Sequence, residues 1–456
     1  MRQRCPRIIF AGTGSGCGKT TITCAVMQAL VNRKLLVGAF KCGPDYIDPM
    51  FHSRIIGAKS RNLDLFFFDR NTARYVLAKN SRDRDISVIE GVMGFYDGLN
   101  LTGTKASTYE AARVTDSPVI LVVNGKGASL SILAAIQGFL DFLPENHISG
   151  VILNQCGQST YQALKPEIEK RFSGRVTPLG YFPKRMDCAL ESRHLGLITA
   201  DEVADLREKM EIMASQAEES LDMDGILRLA RSAPDIFYDP VPIPHFSESV
   251  RIALARDPAF CFYYEDSLEV LREMGGELIS FSPLAETALP ENIQGIYLGG
   301  GYPELYAGRL SENRAMRGSV LSALKAGVPC IAECGGFMYL TDSVGSYPMV
   351  GFLKGKCFNR GKLTRFGYVT LRAKENNLLC KAGDAIPAHE FHHWDCEFTG
   401  DGFTAEKLSG KAWDCVVSTE NLYAGYPHFH FLANPDFGAS FYKMCLREKH
   451  RHDRIL

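Results

Sequence analysis

Residues 11–21, Ala-Gly-Thr-Gly-Ser-Gly-Cys-Gly-Lys-Thr-Thr, constrain this chain more than any other stretch. Alternating glycines ahead of a Lys-Thr pair favour a tight turn that opens a helix. The flanks agree: Ile8–Ala11 is a strand-like apolar run, and Thr20–Asn32 has helical spacing. Strand, turn and helix together make a cradle for a triphosphate. Backbone N–H groups and the helix N-terminus face the anion, the glycines let the chain come close, and Lys19 neutralises charge. Gly12, Thr13, Gly14, Ser15, Gly16, Gly18, Lys19, Thr20 and Thr21 are therefore read as the ATP phosphate site, with Thr20 also a ligand of Mg²⁺. The loop is one residue longer than the standard pattern, since Thr13 stands where that pattern has its first Gly.

A strand feeding such a loop needs parallel neighbours. Leu35–Lys41, Ile86–Glu90, Val119–Val123 and Val151–Asn154 supply apolar runs for them, which implies an α/β fold with a mostly parallel, doubly covered sheet. Two of these runs end in acidic loops, Phe40–Pro49 and Val88–Gly98. Loops at the carboxyl ends of parallel strands form the binding crevice, so the acidic residues Asp45, Asp48, Glu90 and Asp97 are candidates for holding Mg²⁺ or orienting a substrate carboxyl group, with Lys41 beside them at the nucleotide. Taken singly, Asp48 or Asp97 is as consistent with a turn-stabilising aspartate.

Residues 200–231 are charged, lack Pro and read as one or two helices. The break falls in residues 232–248, where four prolines exclude a helix or a central strand. This sets a first domain at 1–235, a Pro-rich linker at 236–248 and a second α/β domain at 249–450. With 456 residues, two domains of this size are the natural division.

In the second half, Cys330-Ile-Ala-Glu-Cys334-Gly-Gly reads as a strand turning sharply into a helix over Phe337–Thr341. Such an elbow exposes a thiol and places it near helix N–H groups that lower its pKa. Cys334 needs a base, which His428 or His430 in Tyr426-Pro-His-Phe-His-Phe can supply, both lying on one side if the segment is extended. The loop Gly299–Glu304 follows an apolar run and can offer N–H groups to an oxyanion, making Gly300, Gly301 and Gly335 the candidate donors. The two centres together imply a ligase that spends ATP and frees ammonia from glutamine.

His389-Glu-Phe-His-His393 formally matches the H-E-x-x-H zinc signature. That chemistry requires a helix, whereas Pro387 upstream and Phe391, Trp394, Cys396 and Phe398 favour extended structure. The 14 cysteines sit mostly in apolar runs and, without an export signal, are expected to be free thiols in a reducing cytoplasm. A net charge of −1 gives no electrostatic case for nucleic acid or membrane partners, and no run of 18 apolar residues exists.

With these residues in view, the chain resembles the cobyrinic acid a,c-diamide synthases, a family that includes the Ni-sirohydrochlorin a,c-diamide synthases. The resemblance runs from residue 7 to about 445 and is carried by residues 41–49, Lys-Cys-Gly-Pro-Asp-Tyr-Ile-Asp-Pro, and 90–98, Glu-Gly-Val-Met-Gly-Phe-Tyr-Asp-Gly. It is also carried by residues 298–305, Leu-Gly-Gly-Gly-Tyr-Pro-Glu-Leu, and 389–392, His-Glu-Phe-His. The resemblance implies a dethiobiotin-synthetase-like P-loop domain followed by a class I glutamine amidotransferase-like domain. It also implies two amidations, at the a and c acetates of cobyrinic acid, each through an acyl phosphate made with ATP and Mg²⁺ and each taking ammonia from L-glutamine. Carried over, Glu90 is a metal ligand, Asp45, Tyr46, Ile47, Asp48 and Asp97 meet the substrate, and Lys19 and Lys41 stabilise the transferring phosphoryl group. Cys334 forms the glutamyl thioester. The related cobyric acid synthases carry Tyr-Leu-His-Gly where this chain has Tyr426-Pro-His428, which puts His428 ahead of His430 as the base, with Pro427 a departure. Ni-sirohydrochlorin and hydrogenobyrinic acid are the rival acceptors. A homodimer is compatible with all of this. A nucleotide-switched partition-type binding protein would share the phosphate loop, but it has no need of Cys334 or a distal His.

Overall fold

The computed structural model describes residues 1–185 and 200–453, and the chain divides into two compact units, Met1–Val241 and Pro242–Leu456.

The first unit is built on a seven-stranded parallel sheet. Its order is Lys59–Leu63, Val37–Cys42, Ile86–Glu90, Arg7–Gly12, Val119–Asn124, Ile148–Asn154, Thr177–Phe182. The phosphate-loop strand is central, and Ile8, Ile9 and Phe10 are fully buried, as an apolar run covered on both faces should be. Successive connections leave this strand and its neighbour Ile86–Glu90 in opposite directions. Gly12 and Glu90 therefore flank a switch point where a crevice opens at the strand ends. The helix Lys19–Asn32 leaves the loop and is covered in turn by Ala200–Ser220, whose Met210, Met213 and Ala217 join the core with Met27 and Leu30. A second helix, Met223–Arg231, starts where Asp222 accepts from the Gly225 N–H at 2.7 Å, so residues 200–231 form two helices.

One short strand falls where a linker is expected. Ile236–Phe237 pairs antiparallel with Arg2–Gln3, and the unit boundary follows Val241. Pro234 and Pro240 flank this strand instead of interrupting it, and Ile236 is buried.

The second unit carries a six-stranded sheet, in the order Gly276–Phe281, Val250–Ala255, Gly295–Leu298, Cys330–Glu333, Leu422–Gly425, Val417–Ser418. All of its pairings are parallel except the last. Beside it lies an antiparallel sheet, Ala412–Cys415, Phe403–Glu406, Arg365–Ala373, Ala385–His392, His428–Phe429. The chain passes from the parallel sheet at Gly425 to the antiparallel one at His428, with Pro427 at the crossing, where the ladder asks no N–H of it.

A third sheet, of four short strands, places Cys357 directly opposite Cys396, and the two form a disulfide. This corrects the expectation of free thiols throughout. The residues are 39 apart in sequence, and only strand register brings them together, which spacing cannot reveal. His389–His392 lies within the strand Ala385–His392, so the H-E-x-x-H match lacks the helix its zinc geometry requires.

Candidate functional sites

In the first unit the loop between Gly12 and Lys19 wraps the position a phosphate would take. Gly16 and Gly18 have φ of 75° and 94°, a region that side chains disfavour, and Gly18 caps the helix. A Cβ on Gly18 would lie 1.9 Å from Asn154 Nδ2, which itself donates to the Cys17 carbonyl at 2.8 Å. Asn154, at the end of its strand, thus buttresses the loop from outside. Thr13 donates its N–H to Val122, while Ser15 and Gly16 face solvent at the crest. Thr21 follows in the first turn of the helix, partly exposed.

Lys19 is largely buried and donates to the carbonyls of Gly14 and Met93. Met93 holds a positive φ of 46° that turns its carbonyl toward the loop, a residue the sequence alone did not single out. Burial holds the Lys19 ammonium below its ordinary range.

Lys41, Asp48, Glu90, Thr20 and His52 meet at the strand ends. Lys41 Nζ lies 2.7 Å from Glu90 Oε1 and 2.5 Å from Asp48 Oδ2, and Thr20 Oγ1 donates to Glu90 Oε1 at 2.5 Å. His52 Nε2, also unforeseen from the sequence, stands 3.3 Å from Glu90 Oε2. Burial opposes every charge here, but Glu90 and then Asp48 hold Lys41 above the usual lysine range. Lys41, followed by His52, keeps Glu90 below the usual carboxylate range, against the burial that would lift it. Asp48 is pushed up to about 6, by burial first and then by the Glu90 charge.

The other acidic candidates are engaged locally. Asp45 Oδ1 accepts from the N–H groups of Ile47 and Asp48, and so orders the start of the short helix Ile47–Phe51. Tyr46 is buried beside it. Asp97 Oδ2 accepts from Gly94 N–H at 2.8 Å and shapes its own loop. Thr20, Glu90 and Asp48 are the hard oxygens Mg²⁺ prefers. Among the described residues no group of three His, Cys, Asp or Glu could hold a metal ion.

In the second unit, pairing of Cys330–Glu333 with Leu422–Gly425 brings the elbow and the histidine segment together. Cys334 caps the helix Gly335–Leu340 at φ 49° and ψ −102°, a strained conformation fixed by its N–H donating to Gly425 at 2.7 Å. Gly301 N lies 3.1 Å from where a Gly335 Cβ would stand, so the two candidate oxyanion segments are neighbours. Gly300 touches the His428 ring, since a Cβ there would meet Cε1 at 2.6 Å and Nε2 at 3.2 Å.

His428 Nδ1 faces Glu333 Oε2 at 3.4 Å, and Glu333 also accepts from Tyr297 OH at 3.3 Å. Glu333 was not among the sequence candidates, although a charge closing the run Cys-Ile-Ala-Glu was a visible signal. It orients the imidazole so that the opposite edge, Cε1 and Nε2, borders Gly300. His389 is the register partner of His428, its ring centroid 6.1 Å away. Burial, with His428 and His392, pushes His389 down to about 3, so it packs as a neutral ring.

His430 makes a different set of contacts. Its Nδ1 accepts from Leu432 N–H at 3.1 Å to cap a 3₁₀ turn, and its ring packs on Tyr264. The thiol also departs from expectation. Burial, then the charge of Glu304, pushes Cys334 above its ordinary value, against the lowering effect of the Gly335 N–H.

Comparison with known proteins matches each unit. Residues 8–197 match the CobQ/CobB/MinD/ParA nucleotide binding domain, and residues 251–436 the CobB/CobQ-like glutamine amidotransferase domain. The cobyrinate a,c-diamide synthase of Priestia megaterium is 37% identical over 465 aligned residues, covering 98% of this chain and 99% of that protein. That of Clostridium acetobutylicum is 40% identical, covering 94% and 98%. That of Listeria monocytogenes serotype 4b is 42% identical, covering 94% and 97%. A nucleotide-binding α/β unit and a glutamine amidotransferase unit, aligned with these relatives over nearly their whole length, make this chain a member of the cobyrinate a,c-diamide synthase family.

Proposed function

We propose that this chain amidates the a and c acetate carboxylates of cobyrinic acid, using ATP with Mg²⁺ and ammonia drawn from L-glutamine in the cytoplasm. One observation carries the reading. A phosphate cradle and a strained cysteine elbow stand in one chain that aligns over at least 94% of its length with relatives named for that reaction.

In the first unit, N–H groups of residues 12–18 and Lys19 hold the phosphates, and Lys41 counters charge on the transferring phosphoryl group. Thr20 and Glu90 would hold Mg²⁺, which supplies charge neutralisation at the phosphates when bound. Transfer of the terminal phosphoryl group to a substrate carboxylate gives an acyl phosphate and ADP. Ammonia then attacks the acyl carbon, phosphate leaves, and an amide with one released proton results. Asp45, Tyr46, Ile47, Asp48 and Asp97 form the loop wall beside which the substrate carboxylate would sit.

In the second unit, His428 removes the Cys334 proton as sulfur attacks the glutamine amide carbon. Glu333 keeps Nδ1 of His428 turned away, so that Nε2 is the nitrogen that receives it. N–H groups of Gly300, Gly301 and Gly335 are the donors for the oxyanion. His428 returns the proton to the departing nitrogen, ammonia leaves, and water hydrolyses the thioester to glutamate. A thiol raised by burial needs such a base, which favours a pair that reacts only when glutamine is seated.

The test is a mass-resolved assay of purified protein with ATP, Mg²⁺ and glutamine, offering cobyrinic acid, hydrogenobyrinic acid and Ni-sirohydrochlorin in parallel. Two successive carboxyl-to-amide mass changes on cobyrinic acid are expected, and exclusive conversion of another acceptor would replace it. Cys334→Ala should abolish glutamine-driven synthesis and spare ammonia-driven synthesis. Loss of both in folded protein would remove Cys334 from the assigned role.

A further inference from the structure

The phosphate site already contains a cation of its own. Lys41 is the register partner of Glu90 across the sheet, and its ammonium sits between two carboxylates within 2.7 Å of each. The Thr20 hydroxyl closes on the same Glu90 oxygen. Hydroxyl and carboxylate oxygens converging in this way are what a divalent cation takes, and here the Lys41 ammonium stands among them. The pair is deeply buried, with side-chain exposures of 9% for Lys41 and 1% for Glu90. Charges in such surroundings are poorly screened, so a second cation entering beside the ammonium is strongly repelled by it. Glu90 Oε2 meanwhile meets His52 Nε2 only at 3.3 Å, outside good hydrogen-bond geometry, so the carboxylate keeps acceptor capacity in reserve.

We propose that Lys41 is the resident cation of the metal position, and that it must move onto incoming phosphates before Thr20 and Glu90 can hold a divalent ion. The inference rests on reading Thr20 and Glu90 as the metal ligands. It adds a coupling that this reading alone does not contain. Metal without nucleotide finds its place taken, because Lys41 has nowhere better to go. Nucleotide phosphates give the ammonium a new anionic partner, and its departure uncovers the carboxylates. Metal and nucleotide therefore enter together, and each raises the affinity for the other through one side chain.

The experiment is calorimetric titration of the full-length protein with MgCl₂ in the absence of nucleotide, repeated by thermal unfolding. Wild type should show no saturable uptake and no rise in Tm. Lys41→Met should gain saturable Mg²⁺ binding, with half-saturation at least about tenfold below the highest concentration at which wild type takes up none, while its affinity for ATP falls. Should Lys41→Met be too unstable to titrate, its Tm should climb with Mg²⁺ while that of wild type stays flat. Saturable Mg²⁺ uptake by nucleotide-free wild type would overturn the proposal. So would a Lys41→Met protein that gains neither binding nor Tm. ATP titration of wild type separates the two readings. No ATP binding there removes the nucleotide site itself, whereas ATP binding without a Mg²⁺ gain in Lys41→Met removes only the resident-cation role.

Discussion

Gly300→Ala should disable the glutaminase centre while leaving the phosphate centre untouched. The new Cβ would lie 2.6 Å from His428 Cε1 and 3.2 Å from Nε2, where ordinary contact begins at 3.4 Å. The ring must therefore retreat by about 0.8 Å. Phe262 Cβ, 3.3 Å from the same point, limits relief through the backbone. Glu333 stands at the other edge of the ring, 3.4 Å from Nδ1, so a retreat of this size drives Nδ1 against the carboxylate or turns the ring off it, and either way carries Nε2 from its place. Misplacement of a catalytic group by about 1 Å costs on the order of 10²-fold in rate. Glutamate release should fall by about that factor, while synthesis driven by ammonium chloride stays at the wild-type rate. Overpacking adds a stability cost of about 1–3 kcal/mol, so Tm is measured beside activity. Gly308→Ala is the control, because its Cβ meets nothing nearer than Tyr347 Cε1 at 3.6 Å. A Gly300→Ala protein that hydrolyses glutamine within about twofold of wild type would refute the placement of His428 against this loop.

Glu304 is held up at about 7 by burial, and its charge is the first electrostatic influence opposing a Cys334 thiolate. Glu304→Gln should therefore speed alkylation of Cys334 above pH 7, read by mass spectrometry with iodoacetamide; an unchanged rate would count against the coupling. A carboxyl whose pKa rises on folding contributes stability below its unfolded value, near 4.5, and loses it as pH climbs through about 7. The stability advantage of wild type over Glu304→Gln should shrink across that window in urea titrations, and a growing advantage would reverse the sign argued. Gly18→Ala, at φ 94° and 1.9 Å from Asn154 Nδ2, should weaken ATP binding by more than about tenfold; unchanged ATP affinity would mean that the loop is not the phosphate site. Breaking the Cys357–Cys396 link, which spans 39 residues, should cost about 4 kcal/mol of unfolding free energy. Urea midpoints with and without reductant test this, and identical midpoints would show that the pair is not joined in solution.

The phosphate unit was legible because its motif is local. Strand, loop and helix follow one another within residues 7–32, so spacing alone sets their geometry. The strand ends at Lys41 and Glu90 were visible as well, because apolar runs stop where charges begin. What spacing left dark was contact across the sheet. His52 lies in a π-helical turn, and Asn154 buttresses the loop from a strand 137 residues beyond Cys17. Lys59–Leu63 went unread because a polar edge strand, Lys-Ser-Arg-Asn-Leu, has no apolar run to announce it. Cys357 and Cys396 meet through register in a sheet of very short strands, the kind sequence patterning defines least.

The two histidines show how a sound rule can be carried past its range. Residues two apart in a strand share a face, so spacing alone kept both His428 and His430 as candidates if the segment stayed extended, and only the resemblance put His428 first. The strand here is only His428–Phe429, entered through Pro427 from a different sheet. Beyond it the chain turns at once into the 3₁₀ segment Phe431–Ala433, and His430 becomes the cap of that turn. Parity holds a face only while a ladder of paired neighbours fixes the backbone, and two residues of ladder fix one side chain on each face. His428 is held by register with His389, by Gly300 and by Glu333, whereas His430 accepts at a helix start and packs its ring on Tyr264. The distinction was not in the spacing of the two residues. It lay in which neighbours the sheets bring to each of them, and that depends on where the chain leaves one sheet for the other.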